Sequence, residues 1–196
     1  MSHSKYFILV FALAVSIWLP CGAQENSYSG VSVSYHSWLE KMTLDKGATS
    51  DFTWATMAGT GIHFEHQFFW GKSGLNLEAG VLFGAASGGY AAGSTGNPID
   101  FTGDKTGYTG FQGSLKLERR LNPQVSFALG PMLLYRSVKW TGSDPAVKAT
   151  SGSDLNTGLV AQLTLRLDPH WDVHQEIGAL AYNATTYWQL GFGYRF

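Results

Sequence analysis

Tyr187-Trp-Gln-Leu-Gly-Phe-Gly-Tyr-Arg-Phe196 alternates without a break. Trp188, Leu190, Phe192, Tyr194 and Phe196 fall on one face; Gln189, Gly191, Gly193 and Arg195 fall on the other. Strand side chains have a period of two, so the segment is predicted to be a strand. One of its faces is apolar and aromatic, and the other is polar or bare. A soluble β-sandwich can use such a strand too, so the rest of the chain has to decide.

Seven similar segments precede it, near Gly30–Leu39, Phe52–Phe69, Leu75–Gly84, Gly107–Arg120, Val125–Lys139, Thr157–Leu167 and Trp171–Tyr182, with the eighth over Thr186–Phe196. Their apolar faces can be read directly. The third carries Leu75, Leu77, Ala79, Val81 and Phe83; the sixth carries Leu159, Ala161, Leu163, Leu165 and Leu167. Each is close to the ~10 residues that a tilted strand needs to cross a bilayer. Connections alternate in length. Gly71–Gly74, Asn122–Gln124 and Asp168–His170 are tight turns built from turn-forming residues. Longer polar stretches lie at 40–51, 85–106 and 141–156, and the fourth such connection, 183–185, is short. With both termini periplasmic, every tight turn is periplasmic and the long stretches face outward. A soluble eight-stranded barrel of the lipocalin type is the alternative; it puts apolar side chains inside and leaves the loop asymmetry unexplained.

The amino terminus has a basic residue, Lys5, then the apolar run Phe7–Leu19, then small residues to Gln24. That pattern reads as a secretory signal peptide over residues 1–24, cleaved after Ala23 or Gln24, with one barrel domain over 25–196. Pro20 beside Cys21 argues against lipid attachment. Cys21 is the single cysteine, so the exported chain is expected to be held by hydrogen bonds and packing alone. A formal net charge of −1, with no basic block, excludes a nucleic-acid partner.

Pro131 falls inside the fifth segment, where its missing N–H predicts a bulge or a lapse in pairing. Trp70, Trp171, Tyr194 and Phe196 gather at tight-turn ends, and Trp38, Trp54 and Trp140 at loop ends. Both sets are expected to lie in the two membrane–water interfaces.

The inward faces carry the candidate chemistry. Toward the tight-turn half they collect a polar network of His63, Glu65, Gln67, Glu78, Lys116, Glu118, Arg120, Gln162, Arg166, Asp172, His174, Glu176 and Arg195. Mixed charges in a small barrel must pair, and eight strands enclose room for side chains only. A plugged lumen is therefore expected. The sharper alternative is a divalent-ion site where His63 and Glu65 face His174 and Glu176, although the spacing does not demand one; no metal or cofactor is assigned. Nearer the loop ends Met57, Leu82, Met132, Leu134 and Leu180, interspersed with glycines, either fill the lumen or line an apolar pocket. For catalysis, His36, Ser37, Glu40, Asp51 and Ser137 lie near the loop ends, but His36 and Ser37 are adjacent and point to opposite faces. No catalytic residue is assigned.

Taken together, the leader, the eight alternating segments, the loop asymmetry and the Gly-Phe-Gly-Tyr-Arg-Phe196 ending resemble the OmpA/OmpX-type small outer-membrane barrels. The resemblance covers essentially all of residues 25–196. It implies an all-β, eight-stranded antiparallel up-and-down transmembrane barrel in the outer membrane, monomeric and without catalysis. It implies surface contact, adhesion or envelope integrity through the external loops, with an unknown partner at 85–106 and 141–156. Outer-membrane lipids including lipopolysaccharide would surround it, and the barrel-assembly machinery would read Tyr194 and Phe196. No peptidoglycan-binding domain is expected after Phe196. A lipid-active barrel enzyme, an apolar-ligand binder and a narrow pore are the alternative functions, and lumen occupancy separates them.

Overall fold

Consecutive antiparallel strands leave an unpaired edge at each end of the set, and this chain removes both edges by closing on itself. The computed structural model describes residues 27–45, 50–87, 90–92, 98–100, 106–138, 148–149, 153–181 and 184–196. Eight long strands form the wall: β1 Ser27–Asp45, β2 Ser50–Trp70, β3 Ser73–Ser87, β4 Gly107–Arg120, β5 Val125–Val138, β6 Ser153–Arg166, β7 Trp171–Leu180 and β8 Ala184–Arg195. Each pairs antiparallel with the next. β8 then pairs with β1, from Gly30 opposite Arg195 to Trp38 opposite Tyr187. The result is the closed, eight-stranded barrel that the alternation predicts.

The two faces decide its solvent. Val33, Ile62, Leu117, Leu129, Leu159, Ile177 and Phe192 stand outward and are 48–68 % exposed. His63, Glu78, Lys116, Gln162, His174 and Glu176 are buried inside. A water-soluble barrel would have the reverse arrangement, so the lipocalin-type alternative is overturned. Closure gives every strand a hydrogen-bonded neighbour on both sides, and hydrocarbon tolerates only a wall closed in this way.

The tight turns follow local chemistry. Gly71 has φ +69, a conformation that costs other residues strain. Asn122 Oδ1 accepts the backbone N–H groups of Gln124 and Val125, and Asp168 Oδ1 those of His170 and Trp171. At the opposite end the first connection differs from expectation. Residues 40–45 and 50–51, read as loop, are strand. The β1–β2 ladder runs unbroken from Ser27 opposite Phe68 to Asp45 opposite Ser50, because continued pairing satisfies backbone groups beyond the lipid as well as within it. Leu44 and Asp45 also pair with Ala149 and Lys148, and Tyr90–Ala92 pairs with Pro98–Asp100.

Pro131 produces a lapse rather than a bulge. β4 and β5 pair at Ser114–Met132 and again at Leu117–Leu129 in the same register, with no pairs between. Pro131 keeps its place opposite Leu159 on β6. Beside it, a side chain on Gly130 would put its Cβ 2.0 Å from the Leu115 carbonyl oxygen. The strands touch there through bare backbone. Gly130→Val is expected to lower stability by about 1–3 kcal/mol or more, because the contact is with backbone that cannot rotate away. Urea unfolding of the barrel in lipid vesicles measures this; an unchanged midpoint would remove the close-packing account.

Trp171, Tyr194 and Phe196 project outward at the tight-turn end, with Trp171 stacked at 4.9 Å on Phe192 and edge-on at 4.8 Å to Tyr194. Trp54 is 39 % exposed at the other end. Trp38 is not interfacial. It is 2 % exposed and points into the lumen, on the same face as Ser34, His36 and Glu40. Trp140 lies outside the described residues.

Candidate functional site: the filled lumen

Inward positions of β3, β4, β7 and β8 meet across the barrel axis. Lys116 on β4 donates to Glu78 Oε2 on β3 at 2.5 Å and to Glu176 Oε1 on β7, and all three side chains have no solvent exposure. Gln112 Nε2 donates to both carboxylates, at 3.4 and 3.3 Å. The Tyr187 hydroxyl on β8 donates to Gln112 Oε1 at 2.5 Å and is also in contact with Gln189 Oε1. One lysine thus sits between two buried carboxylates, and amides extend the layer from wall to wall. Burying such charges is tolerable only with this degree of pairing.

The histidines are attached to this layer separately. His63 Nδ1 lies 2.8 Å from Glu78 Oε1, and its Nε2 lies 2.7 Å from Ser34 Oγ. His174 Nδ1 lies 3.4 Å from Asp172 Oδ1 and 3.9 Å from Glu65 Oε1. Glu65 accepts from Gln67 Nε2 and Asn76 Nδ2. Each ring has its own carboxylates, and among the described residues no group of three or more His, Cys, Asp or Glu is arranged to hold a metal ion. Inward glycines make space for the rings. A Cβ on Gly80 would come within 2.3 Å of His63 Nδ1, and one on Gly191 within 2.1 Å of His174 Nε2. Bare positions that leave room for a pocket on the sequence are here occupied by imidazole.

Closer to the tight turns, Asp172 Oδ2 accepts from Arg195 Nε at 2.7 Å, and Gln162 Nε2 donates to Thr164 Oγ1. Arg166 Nη2 stands 4.0 Å from Glu118 Oε1, and the Arg120 guanidinium lies 3.6 Å over the Phe69 ring.

Toward the loop ends, Met57, Leu82, Met132, Leu134 and Leu180 join Trp38, Tyr108 and Tyr187 in one buried cluster. Trp38 meets Tyr108 edge-on at 5.2 Å and lies 6.4 Å from Tyr187; His36 stacks on Trp38 at 5.6 Å. His36 Nε2 is 2.6 Å from the Tyr108 hydroxyl. Above these rings a second ion pair joins Arg136 Nη2 to Glu40 Oε1, both fully buried, and Glu40 Oε2 accepts from Trp38 Nε1 at 3.0 Å. These aromatic plugs and the Glu40–Arg136 pair were not singled out from sequence. The signal for them was parity: Ser32, Ser34, His36, Trp38 and Glu40 share one face, and that face is inward.

Among the residues considered for catalysis, His36 is buried against Tyr108, Glu40 is paired with Arg136, and Ser137 is exposed on the opposite parity to Arg136. Ser37 points away from His36, and the Asp51 side chain lies outside the described residues. His66 is half-buried near the tight-turn end, 2.8 Å from Ser29 Oγ.

No protein-family model and no curated protein match the chain. Solved structures with a similar architecture do exist. Ail, the attachment invasion locus protein of Yersinia pestis, aligns at 16 % identity with a TM-score of 0.49, over 87 % of this chain and 99 % of that one. OprG, an outer-membrane protein of Pseudomonas aeruginosa, aligns at 13 % identity and TM-score 0.47, over 89 % and 98 %. Neisserial surface protein A aligns at 11 % and 0.45, over 87 % and 98 %. By its own strand pairing and its two faces, the chain is a closed eight-stranded antiparallel β-barrel with an apolar, membrane-spanning wall.

Proposed function

We propose that this barrel is a closed scaffold in the outer membrane that presents residues 85–106 and 141–156 to a partner outside the cell. Its role is surface contact, adhesion or envelope integrity, without turnover. The observation that carries the reading is the lumen: Lys116 between Glu78 and Glu176, with the Trp38–Tyr108–Tyr187 layer and the Glu40–Arg136 pair above it. Among the described residues these layers leave no open path through the middle of the barrel and no room between them for a substrate, and what remains to act is the wall, the loops and the mouths. An apolar-ligand binder would need open space where the three aromatic rings lie. Lipopolysaccharide and phospholipid form the surround of the apolar wall, the barrel-assembly machinery inserts the chain through its Tyr194–Phe196 end, and the barrel acts as a monomer.

Planar-bilayer recording tests the closed lumen. The protein is expected to pass no steady current, and stable ion-selective channels would favour the pore instead. Orientation is tested with inserted epitope tags on intact cells. Tags within 85–106 and 141–156 are expected to label, and a tag within Asn122–Gln124 is not; surface labelling at that turn would overturn the topology.

A further inference from the structure

The tight-turn mouth holds arginine N–H donors that the lumen does not use, although the carboxylates of Glu118 and Asp172 stand among them. Arg120, Arg166 and Arg195 converge there. The guanidinium of Arg120 lies 3.6 Å over Phe69 and 5.5 Å over Tyr28, and that of Arg166 lies 5.6 and 6.0 Å from the same two rings. Arg166 feels the positive charge of both other arginines. A guanidinium lying face-on to a ring keeps its N–H groups in its own plane, where they stay available for hydrogen bonds.

Those donors are not used up by the protein. Arg195 is 6 % exposed, and its Nε is held by Asp172, but its Nη2 is buried with no hydrogen-bond partner among the described residues. The same is true of Nε and Nη2 of Arg120 and of Nε and Nη2 of Arg166. Glu118 reaches Arg166 only at 4.0 Å, beyond hydrogen-bond length. Asp168, on the rim, already accepts two turn N–H groups through Oδ1. Five buried charged donors without acceptors are expensive, and a single group with several oxygens would satisfy them together. A cavity of about 300 Å³ opens beside them, lined by Tyr28, Gln124, Arg166, Asp168 and Arg195.

We infer that the tight-turn mouth is an oxyanion site, in which Arg120, Arg166 and Arg195 hold a phosphate or carboxylate group. Arg166 and Arg195 line the cavity and meet the anion directly. Arg120, fixed on Phe69, closes the site from behind. A fork of planar N–H donors matches the paired oxygens of such groups better than it matches chloride. The placement of this mouth on the periplasmic side rests on the orientation proposed above; the binding chemistry does not, and the tag experiment fails independently of it. Periplasmic sources of such a group are a soluble phosphate or carboxylate and the headgroup of an inner-leaflet phospholipid at the rim.

The test uses the whole barrel in phosphatidylcholine nanodiscs, titrated with inorganic phosphate and separately with glutarate, while the arginine Nε–H signals are followed by NMR. Saturable shifts are expected at Arg120 and Arg166, and a smaller one at Arg195, whose Nε is already bonded to Asp172. Arg166→Gln is expected to weaken binding by about tenfold or more, as the loss of a charge-assisted fork predicts. Arg119→Gln removes the same charge one residue from Arg120 on the exposed face and is expected to change nothing. In phosphatidylglycerol nanodiscs, weakened phosphate binding identifies the headgroup as the source, and unchanged binding identifies a soluble ligand. Absence of saturable shifts with both anions in the wild-type protein would overturn the site, even if the Arg166 variant fails to fold. Equal binding by the Arg166 and Arg119 variants would overturn it too.

Discussion

Lys116→Met is expected to destabilise the barrel by about 3–5 kcal/mol, the range for breaking a buried ion pair by removing one partner. The side chains of Lys116, Glu78 and Glu176 are all without solvent exposure, so the variant leaves two carboxylates facing each other in a dry layer. Gln112 and Ser114 still donate to Glu78, but neither carries a positive charge. Equilibrium unfolding in lipid vesicles reads the loss. Adding Glu78→Gln and Glu176→Gln to the same chain is expected to recover much of it, since a neutral layer has no uncompensated charge. A single variant as stable as wild type would mean that water already fills the layer. Conductance separates the two plugs: Lys116→Met alone is expected to stay closed, because the Trp38–Tyr108–Tyr187 cluster lies on the other side of the layer.

The second large effect is at the loop end. Arg136→Met strands the Glu40 carboxylate, buried and held by Trp38 Nε1–H, and is expected to cost about 3–5 kcal/mol by the same mechanism. A second readout follows from that hydrogen bond. With Glu40 repelled from the layer, Trp38 loses its acceptor, and its emission is expected to move away from the wild-type spectrum. Urea midpoints and Trp38 fluorescence, measured against a Trp38→Phe reference, check both. An unchanged midpoint would show that the pair is open to solvent and that the aromatic layer alone closes this end. Combining Lys116→Met with Arg136→Met loosens both charged layers but is expected to stay closed, because the Trp38–Tyr108–Tyr187 rings between them remain.

Much of the barrel was readable from residue order. Leu75, Leu77, Ala79, Val81 and Phe83 stand outward on β3 as alternation requires, and Glu78 stands inward between Leu77 and Ala79. The period of two belongs to the extended backbone itself, so it survives without tertiary contacts. Asn122 and Asp168 mark their turns through hydrogen bonds that span two or three residues, and these too are local. Pro131 announced an interrupted ladder because a missing N–H is covalent fact.

Inward position alone, however, does not say which residues meet. Lys116 falls opposite Gly130 on the neighbouring strand, where the β4–β5 ladder lapses, yet its partner Glu176 comes from β7, three strands further round. Such meetings depend on strand tilt and stagger, which the closed barrel sets as a whole. The same holds for Trp38, whose indole was read as interfacial and is instead wedged among Tyr108, Tyr187 and His36. It holds for the three arginines of the mouth, which come from β4, β6 and β8 and are brought together by closure. Residue order therefore determined the strands, their faces and the lipid-facing wall, all consequences of a two-residue period. Only the tertiary structure decided which inward charges pair, which rings close the lumen and where arginine donors are left without partners, because those contacts form between strands far apart in the chain.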